Sequence, residues 1–503
     1  MKTAGINNRR HAPPKAAAMI EALRGLGYNA ATALSDLIDN SIAAHACTVK
    51  LNFHWAGKSS CISVLDDGHG MNGDQLDRAM RLGAINPLAV RSAGDLGRFG
   101  LGMKTASFSQ CRRLTVTSRN HGNTNCLRWD LDKLTQSDDD GWYMLEGPAD
   151  GSESLARLPD SFKHGTLILW EELDRIVSPG FIEQNFLNLI DQIEAHLSMV
   201  FHRFLEGPKP LLRILINDSP VKPWNPFLPS HSATWCSPAV PVMCNGHTVE
   251  VQGYVLPHRD RLSKEEHESA AGPDGWTAQQ GFYVYRNKRL LVAGSWLGLG
   301  QSRAWTKEEA HRLARIRLDI PNSADAEWKI DIRKSTARPP VSIRAQLVSI
   351  ADDIRSRARK VYAYRGTYTA KTAGPLVQAW HADYRNGSMR YRIDREHPAV
   401  KPLLVEGTPD FVSQVEAMIR VIEETVPVQK IWLDSAEGKD VLRSGFSGEA
   451  PKEVLDILKI MYRNLVIRKG IEPALAKAQL LRTEPFQNFV ELVKSLPDMT
   501  TDE

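Results

Sequence analysis

Three short stretches near the start of this 503-residue chain carry residue types and spacings suited to chemistry. In the first, Leu34-Ser35-Asp36-Leu37-Ile38-Asp39-Asn40-Ser41-Ile42-Ala43-Ala44, the carboxylate of Asp36 and the carboxamide of Asn40 are four residues apart and so share one helix face. In the second, Ile62-Ser63-Val64-Leu65 runs into Asp66-Asp67-Gly68-His69-Gly70-Met71, a β-type run that ends in acid and glycine. The third, Gly97-Arg98-Phe99-Gly100-Leu101-Gly102-Met103-Lys104-Thr105-Ala106-Ser107, is a glycine-rich turn opening a helix, where free backbone N–H groups suit phosphate oxygens. Taken singly, each has a plainer reading: a solvated helix face, a strand-ending turn and a loop. Their order and closeness, with Gly165-Thr166 at the head of a later apolar run, argue for one site.

The elements that must position these residues follow from periodicity. Leu34, Leu37, Ile38 and Ile42 recur at helical spacing and predict an amphipathic helix with one buried stripe. A polar arm and a short helix over 14–26 precede it. Strands are expected over 48–55, 60–66, 113–119, 126–131, 142–146 and 165–170, with a helix over 73–82 and loop over 83–96. The acidic stretch 137–141 reads as a solvated hairpin turn. This α/β alternation predicts a two-layer sandwich, one face of a mixed sheet covered by helices.

The set resembles the GHKL ATPases: the ATPase chain of DNA gyrase, the MutL repair proteins, the ninety-kilodalton heat-shock chaperones, histidine kinases and the MORC proteins. The Gly-Arg-Phe-Gly-Leu-Gly-Met-Lys run is most similar to the MORC branch and its bacterial relatives. The resemblance implies a two-layer α/β sandwich of the GHKL (Bergerat) type that takes ATP and Mg²⁺. It implies that Asp66 accepts from the exocyclic amine of adenine, while Gly68, Gly70 and Met71 let the backbone approach the base. Gly97, Phe99, Gly100, Leu101, Gly102 and Met103 would hold phosphate, 83–96 would be the ATP lid, and Thr166 would bond near the adenine. Lys104 would add a point charge at the phosphates; its plainer reading is a surface lysine. Asn40 would ligate Mg²⁺. Asp36 stands where hydrolysing relatives carry a glutamate that orients and deprotonates the attacking water. It is one methylene shorter, roughly 1.5 Å of reach, and a misplacement of about 1 Å can cost on the order of a hundredfold in rate. An ATPase with slow turnover is the expectation.

A helix over 179–205 leads into a second region. There Gly281-Phe282-Tyr283-Val284-Tyr285-Arg286-Asn287-Lys288-Arg289-Leu290-Leu291 reads as strand, turn and strand, and Trp328-Lys329-Ile330-Asp331-Ile332-Arg333-Lys334-Ser335 leads into Arg338-Pro339-Pro340. The pair resembles the α+β transducer domain of MutL, gyrase and MORC proteins, where a loop lysine reaches the γ-phosphate. Lys334 is the candidate, Lys329 and Arg333 compete, and a basic edge loop without a ligand is the plainer reading. From residue 286 to 360 there are 17 Lys plus Arg against 8 Asp plus Glu, a local surplus in a chain of net charge +4. That suits sequence-independent, salt-sensitive contact with DNA, although the run Arg355-Ser356-Arg357-Ala358-Arg359-Lys360 explains part of it as a solvated helix. Past Gly366, helical periodicity returns over 409–425, 451–469 and 484–496. The expected division is therefore 1–205 for the ATP domain, 206–365 for the transducer-like domain and 366–503 for a mainly helical domain. His381, Asp383 and His397 have no ligand spacing that would support a metal.

Composition sets outer bounds. No apolar run of about 18 residues exists, so no membrane span is expected, and the polar start of the chain does not read as a secretory signal. Six scattered cysteines form no Cys-x-x-Cys pair and fit a reducing cytoplasm. Three functions compete. The favoured one is a nucleotide-dependent homodimeric clamp on non-specific DNA, in bacterial repair or restriction-type defence, beside a nuclease or methyltransferase partner. The others are a hydrolysis-poor ATP-dependent scaffold for a partner enzyme, and a chaperone-like ATPase for protein clients.

Overall fold

The computed structural model describes residues 14–498 apart from 26, 84–101, 137–140, 325–326, 332–335, 364–376, 386–387, 429, 431–451 and 487–488. The chain forms two compact units, Met1–Arg359 and Lys360–Glu503.

In the first unit the helices α1 (Ala16–Arg24) and α2 (Ala30–Ala43) lead into an antiparallel pair, β1 (Thr48–His54) and β2 (Cys61–Asp66). Then come α3 (Gly73–Met80), α4 (Gly102–Phe108), β3 (Arg113–Asn120), β4 (Asn123–Asp130), α5 (Leu131–Gln136), β5 (Leu145–Glu146) and β6 (Gly165–Glu171). The helices α6 (Glu183–Val200) and α7 (His202–Leu205) precede β7 (Arg213–Ile216) and β8 (Ser219–Pro220). These strands make one eight-stranded sheet of order β5-β4-β3-β6-β2-β1-β7-β8. It is antiparallel except where β7 lies parallel to β1, so the sheet continues past residue 205.

One face of this sheet carries the main core. Leu34, Leu37 and Ile38 of α2 and Phe186, Ile193 and Leu197 of α6 pack on Val49, Leu51, Ile62, Val64, Val116 and Trp170, all buried. The stripe read from the sequence is therefore the packed one. The opposite face is closed by small clusters, Leu65 and Leu167 against Leu158 and Phe162. Expected strand 142–146 shrinks to two residues at the sheet edge, where it meets only β4.

The second sheet has the order β10-β11-β14-β12-β13, with β9 (Trp235–Cys236) also on β11. Its strands are β10 (Val240–Cys244), β11 (His247–Val255), β12 (Gly281–Arg286), β13 (Arg289–Ser295) and β14 (Ala314–Ile320). β12 and β13 form the expected hairpin, joined by Asn287 and Lys288, both at positive φ (47° and 69°). Two such residues in a row suit the tight turn that matches strand twist. Helices α8 (Lys264–Ala271) and α9 (Gly275–Ala278) precede the hairpin, and α10 (Val341–Ala363) places Ile354 directly on Gly253 of β11.

The second unit is mostly helical, with helices Pro409–Thr425, Lys452–Arg463 and Pro473–Leu480. It also contains a hairpin, Trp380–Arg385 with Ser388–Ile393, that the helical expectation for 366–503 omitted. The helix expected over 484–496 starts only at Val490. Glu484 precedes Pro485, a position that disfavours helical backbone.

Candidate nucleotide site

The site is built where α2 crosses the ends of β2 and β6. Asn29 starts α2 with a capping box: its side chain accepts from the Thr32 N–H at 2.8 Å, and Thr32 Oγ1 accepts from the Asn29 N–H at 3.2 Å. That fixes the helix start, and with it the bearing of every side chain below. Asp36 turns inward and is buried, whereas Asn40, one turn on, is exposed. The Tyr28 hydroxyl donates to Asp36 Oδ2 at 2.9 Å. Gly102, at the start of α4, sits so close that a Cβ there would lie 3.6 Å from the same oxygen.

Asp66 ends β2 with its carboxylate buried. Ser41 Oγ of α2 donates to Oδ2 at 2.9 Å and the Gly68 N–H donates to Oδ1 at 2.9 Å. Burial pushes the Asp66 carboxyl above the usual range, partly offset by these hydrogen bonds. In the β2–β6 register Asp66 faces Thr166. Thr166 Oγ1 is 2.9 Å from Ser118 Oγ, which also accepts the Met71 N–H at 2.8 Å. Asp66, Thr166 and the loop after β2 are thus knitted into one polar end of the sheet.

That loop needs its glycines. Gly70 has φ +66°, and a Cβ there would meet the Arg119 carbonyl oxygen at 1.9 Å; one at Gly68 would meet Ala44 at 2.9 Å. The loop is also held from behind: Asn120 Nδ2 donates to the His69 carbonyl at 2.8 Å, and His164 Nδ1 donates to the Gly68 carbonyl at 2.7 Å. A cavity of about 870 Å³ adjoins this back side, lined in part by Ala44, His45, His69 and His164; Asp66 is not among its lining residues.

Gly102, Met103 and Lys104 begin α4 beside Asp36. Gly97, Phe99, Gly100 and Leu101 lie outside the described residues. Lys104 differs from both of its sequence readings. It is buried, and its ammonium donates to the carbonyls of Ala79 (2.9 Å) and Arg81 (2.8 Å) at the end of α3. A cation there complements unpaired carbonyls and the negative end of the helix dipole. Burial pulls its pKa down to about 8.

Lys334 and Arg333 also lie outside the described residues, and Lys329 is exposed at φ 48°. The loop that carries them is nevertheless anchored: Trp328 is fully buried, the Arg338 N–H donates to its carbonyl at 2.7 Å, and Asp331 Oδ1 accepts from the Thr336 N–H. Asp331 stands close enough to Tyr28 to help raise the phenol's pKa, behind the larger effects of burial and the Asp36 carboxylate.

Residues 28–166 match the family model for histidine kinase-, DNA gyrase B-, and HSP90-like ATPases. This segment has the character of a GHKL-type ATPase domain, and the match supports ATP binding. It begins at Tyr28 and ends at Thr166, so it spans the polar site but neither the second sheet nor the second unit. No curated protein matches the chain.

Among the described residues no group of three or more His, Cys, Asp or Glu is placed to hold a metal ion, and no helix is long and apolar enough to cross a membrane. Mg²⁺ commonly takes one or two protein ligands beside phosphate oxygens and water, and the exposed carboxamide of Asn40, one turn from Asp36, fits that demand. Sequence reasoning missed Tyr28, Ser41 and Ser118. Each is a single polar residue with no spacing of its own to mark it, and only the tertiary fold brings it to Asp36, Asp66 or Met71.

Proposed function

We propose that the N-terminal domain binds ATP with Asp66 as the adenine acceptor and Asn40 as the Mg²⁺ ligand, and that it hydrolyses ATP slowly. The observation that carries this is the buried Asp66 carboxylate, oriented by Ser41 and Gly68 and paired in register with Thr166 inside the family-matched segment. Adenine's amine would meet an acceptor already fixed, and a fixed acceptor discriminates strongly against bases that lack the donor. The cation would offset phosphate charge, while this chain's α4 start offers backbone N–H groups to the phosphates. Asp36 would receive the proton of the attacking water. Asp66→Asn tests the assignment, because it removes the acceptor but keeps the shape. Loss of ATP binding by isothermal titration is expected, and unchanged affinity would remove the adenine site.

We further propose that the second sheet and its loop act as a transducer of the kind found in MutL and MORC-like proteins. The contact of Arg289 on β13 with Asp39 on α2 supports this, with Lys334 as the residue offered to the γ-phosphate. On this reading the chain is a cytoplasmic, nucleotide-dependent homodimeric clamp on DNA, serving repair or anti-phage defence beside a nuclease or methyltransferase, with residues 366–503 available for a partner. The test is steady-state ATP hydrolysis with and without duplex DNA at low salt; stimulation is expected.

One observation favours a second reading. The short Asp36 is held by Tyr28, which suits a scaffold that binds ATP, turns it over poorly and recruits a partner enzyme. ATP binding without turnover, in the presence or absence of DNA, would select it.

A further inference from the structure

Asp39 immediately precedes Asn40 on α2. It is 1% exposed, and Arg289, the first residue of β13 in the second sheet, is 4% exposed. Arg289 Nε lies 3.3 Å from Asp39 Oδ2. Between them these residues join α2 to the tip of the β12–β13 hairpin, 250 positions apart in sequence. On its other sides the guanidinium donates from Nη1 to the Leu290 carbonyl at 2.6 Å and has the Phe201 ring 5.8 Å away. His196 of α6, beside this pair, is pulled down to about 4 by burial and by the Arg289 charge, so it stays neutral and adds no second cation.

Two charges taken out of water are held together by their mutual attraction, and removing one partner of a buried ion pair is costly. Such a pair behaves as a rigid strut. It is attached to the helical turn that carries Asp36 at one end and Asn40 at the other, three residues before and one residue after Asp39. A change in angle between the second sheet and α2 must therefore move the Asp36–Asn40 turn or break a buried ion pair.

We propose that Arg289 is a positioning residue of the nucleotide site, setting through Asp39 the placement of Asp36 and Asn40 and relaying nucleotide occupancy to the β12–β13 hairpin. This rests on the ATP-site reading above and adds the residue pair through which the second sheet acts. Coupling of this kind is reciprocal for binding, so nucleotide should protect the hairpin as the hairpin orders the site.

The experiment compares full-length wild type with Arg289→Gln, Arg289→Lys and the double variant Asp39→Asn/Arg289→Gln, in which two neutral amides replace the pair. Nucleotide affinity, kcat and amide exchange over 281–295 are measured with and without a non-hydrolysable ATP analogue. Arg289→Gln is expected to lower kcat on the order of tenfold or more, with a smaller weakening of nucleotide affinity that reports the lost coupling. It should also abolish analogue-induced protection of the hairpin, and Arg289→Lys should recover part of both. The double variant, which removes both charges of the pair together, carries the test if Arg289→Gln does not fold. Normal kcat and normal protection in a folded variant overturn the proposal while leaving the ATP site standing. A wild-type chain that binds no nucleotide overturns both.

Discussion

Tyr28 and Asp36 share a 2.9 Å hydrogen bond at the start of α2, the phenol donating and the carboxylate accepting. Burial and the neighbouring carboxylate push the phenol's pKa well up, so Tyr28 remains a donor across the physiological range and does not itself take a proton. Its effect is to fix which oxygen of a short side chain faces the site. One carboxylate oxygen is then committed to the protein.

Replacing Tyr28 with Phe removes that bond while keeping the ring. Hydrogen bonds to charged groups contribute about 1.5–3 kcal/mol, so a modest loss of stability is expected in urea unfolding. ATP affinity should hold, and kcat should fall on the order of tenfold because Asp36 loses its fixed bearing. A rise in kcat would instead mean that Tyr28 restrains the base, as the scaffold reading requires.

Gly70 and Gly57 share a left-handed backbone, φ +66° and +59°, but differ in surroundings. A Cβ at Gly57 meets nothing within 4 Å, whereas at Gly70 it collides with the Arg119 carbonyl. Gly57→Ala should therefore cost only the left-handed penalty, about 1 kcal/mol. Gly70→Ala must displace the loop after Asp66 as well, and a loss of about 3 kcal/mol or more is expected, with ATP binding lost alongside. Paired thermal melts and titrations check this; equal costs would show that the close approach does not matter.

What could be read from sequence was what local pattern encodes. The α2 stripe and the strand ending at Asp66 follow from periodicity, and the β12–β13 turn from its Asn287-Lys288 centre. The hairpin in the second unit had a sequence signal too, Asn386-Gly387 between two runs rich in Tyr and Arg, but no element is assigned around 380–384 from sequence. The polar partners were not legible. Tyr28 gains meaning only from a contact eight residues on, and Ser41, Ser118 and Arg289 from contacts across 25, 48 and 250 residues. Lys104 shows the same limit: its glycine-rich neighbours suggest a phosphate, and nothing nearby in sequence announces the end of α3.

Lys104 gives a pH signature with a definite sign. The unfolded lysine holds its proton up to about its ordinary value of 10.5, whereas burial lowers the folded value to about 8. Below pH 8 both states are protonated and the group adds no slope. Between the two values the unfolded chain binds the extra proton, so stability rises with pH, by up to about 3 kcal/mol at about 1.4 kcal/mol per unit. Lys104→Met lacks this contribution. The unfolding free energy of wild type minus variant, from urea titrations just below pH 8 and again near about pH 10, should therefore grow with pH. A difference that stays flat would put the ammonium in water, away from the Ala79 and Arg81 carbonyls, and would free it for the phosphates after all.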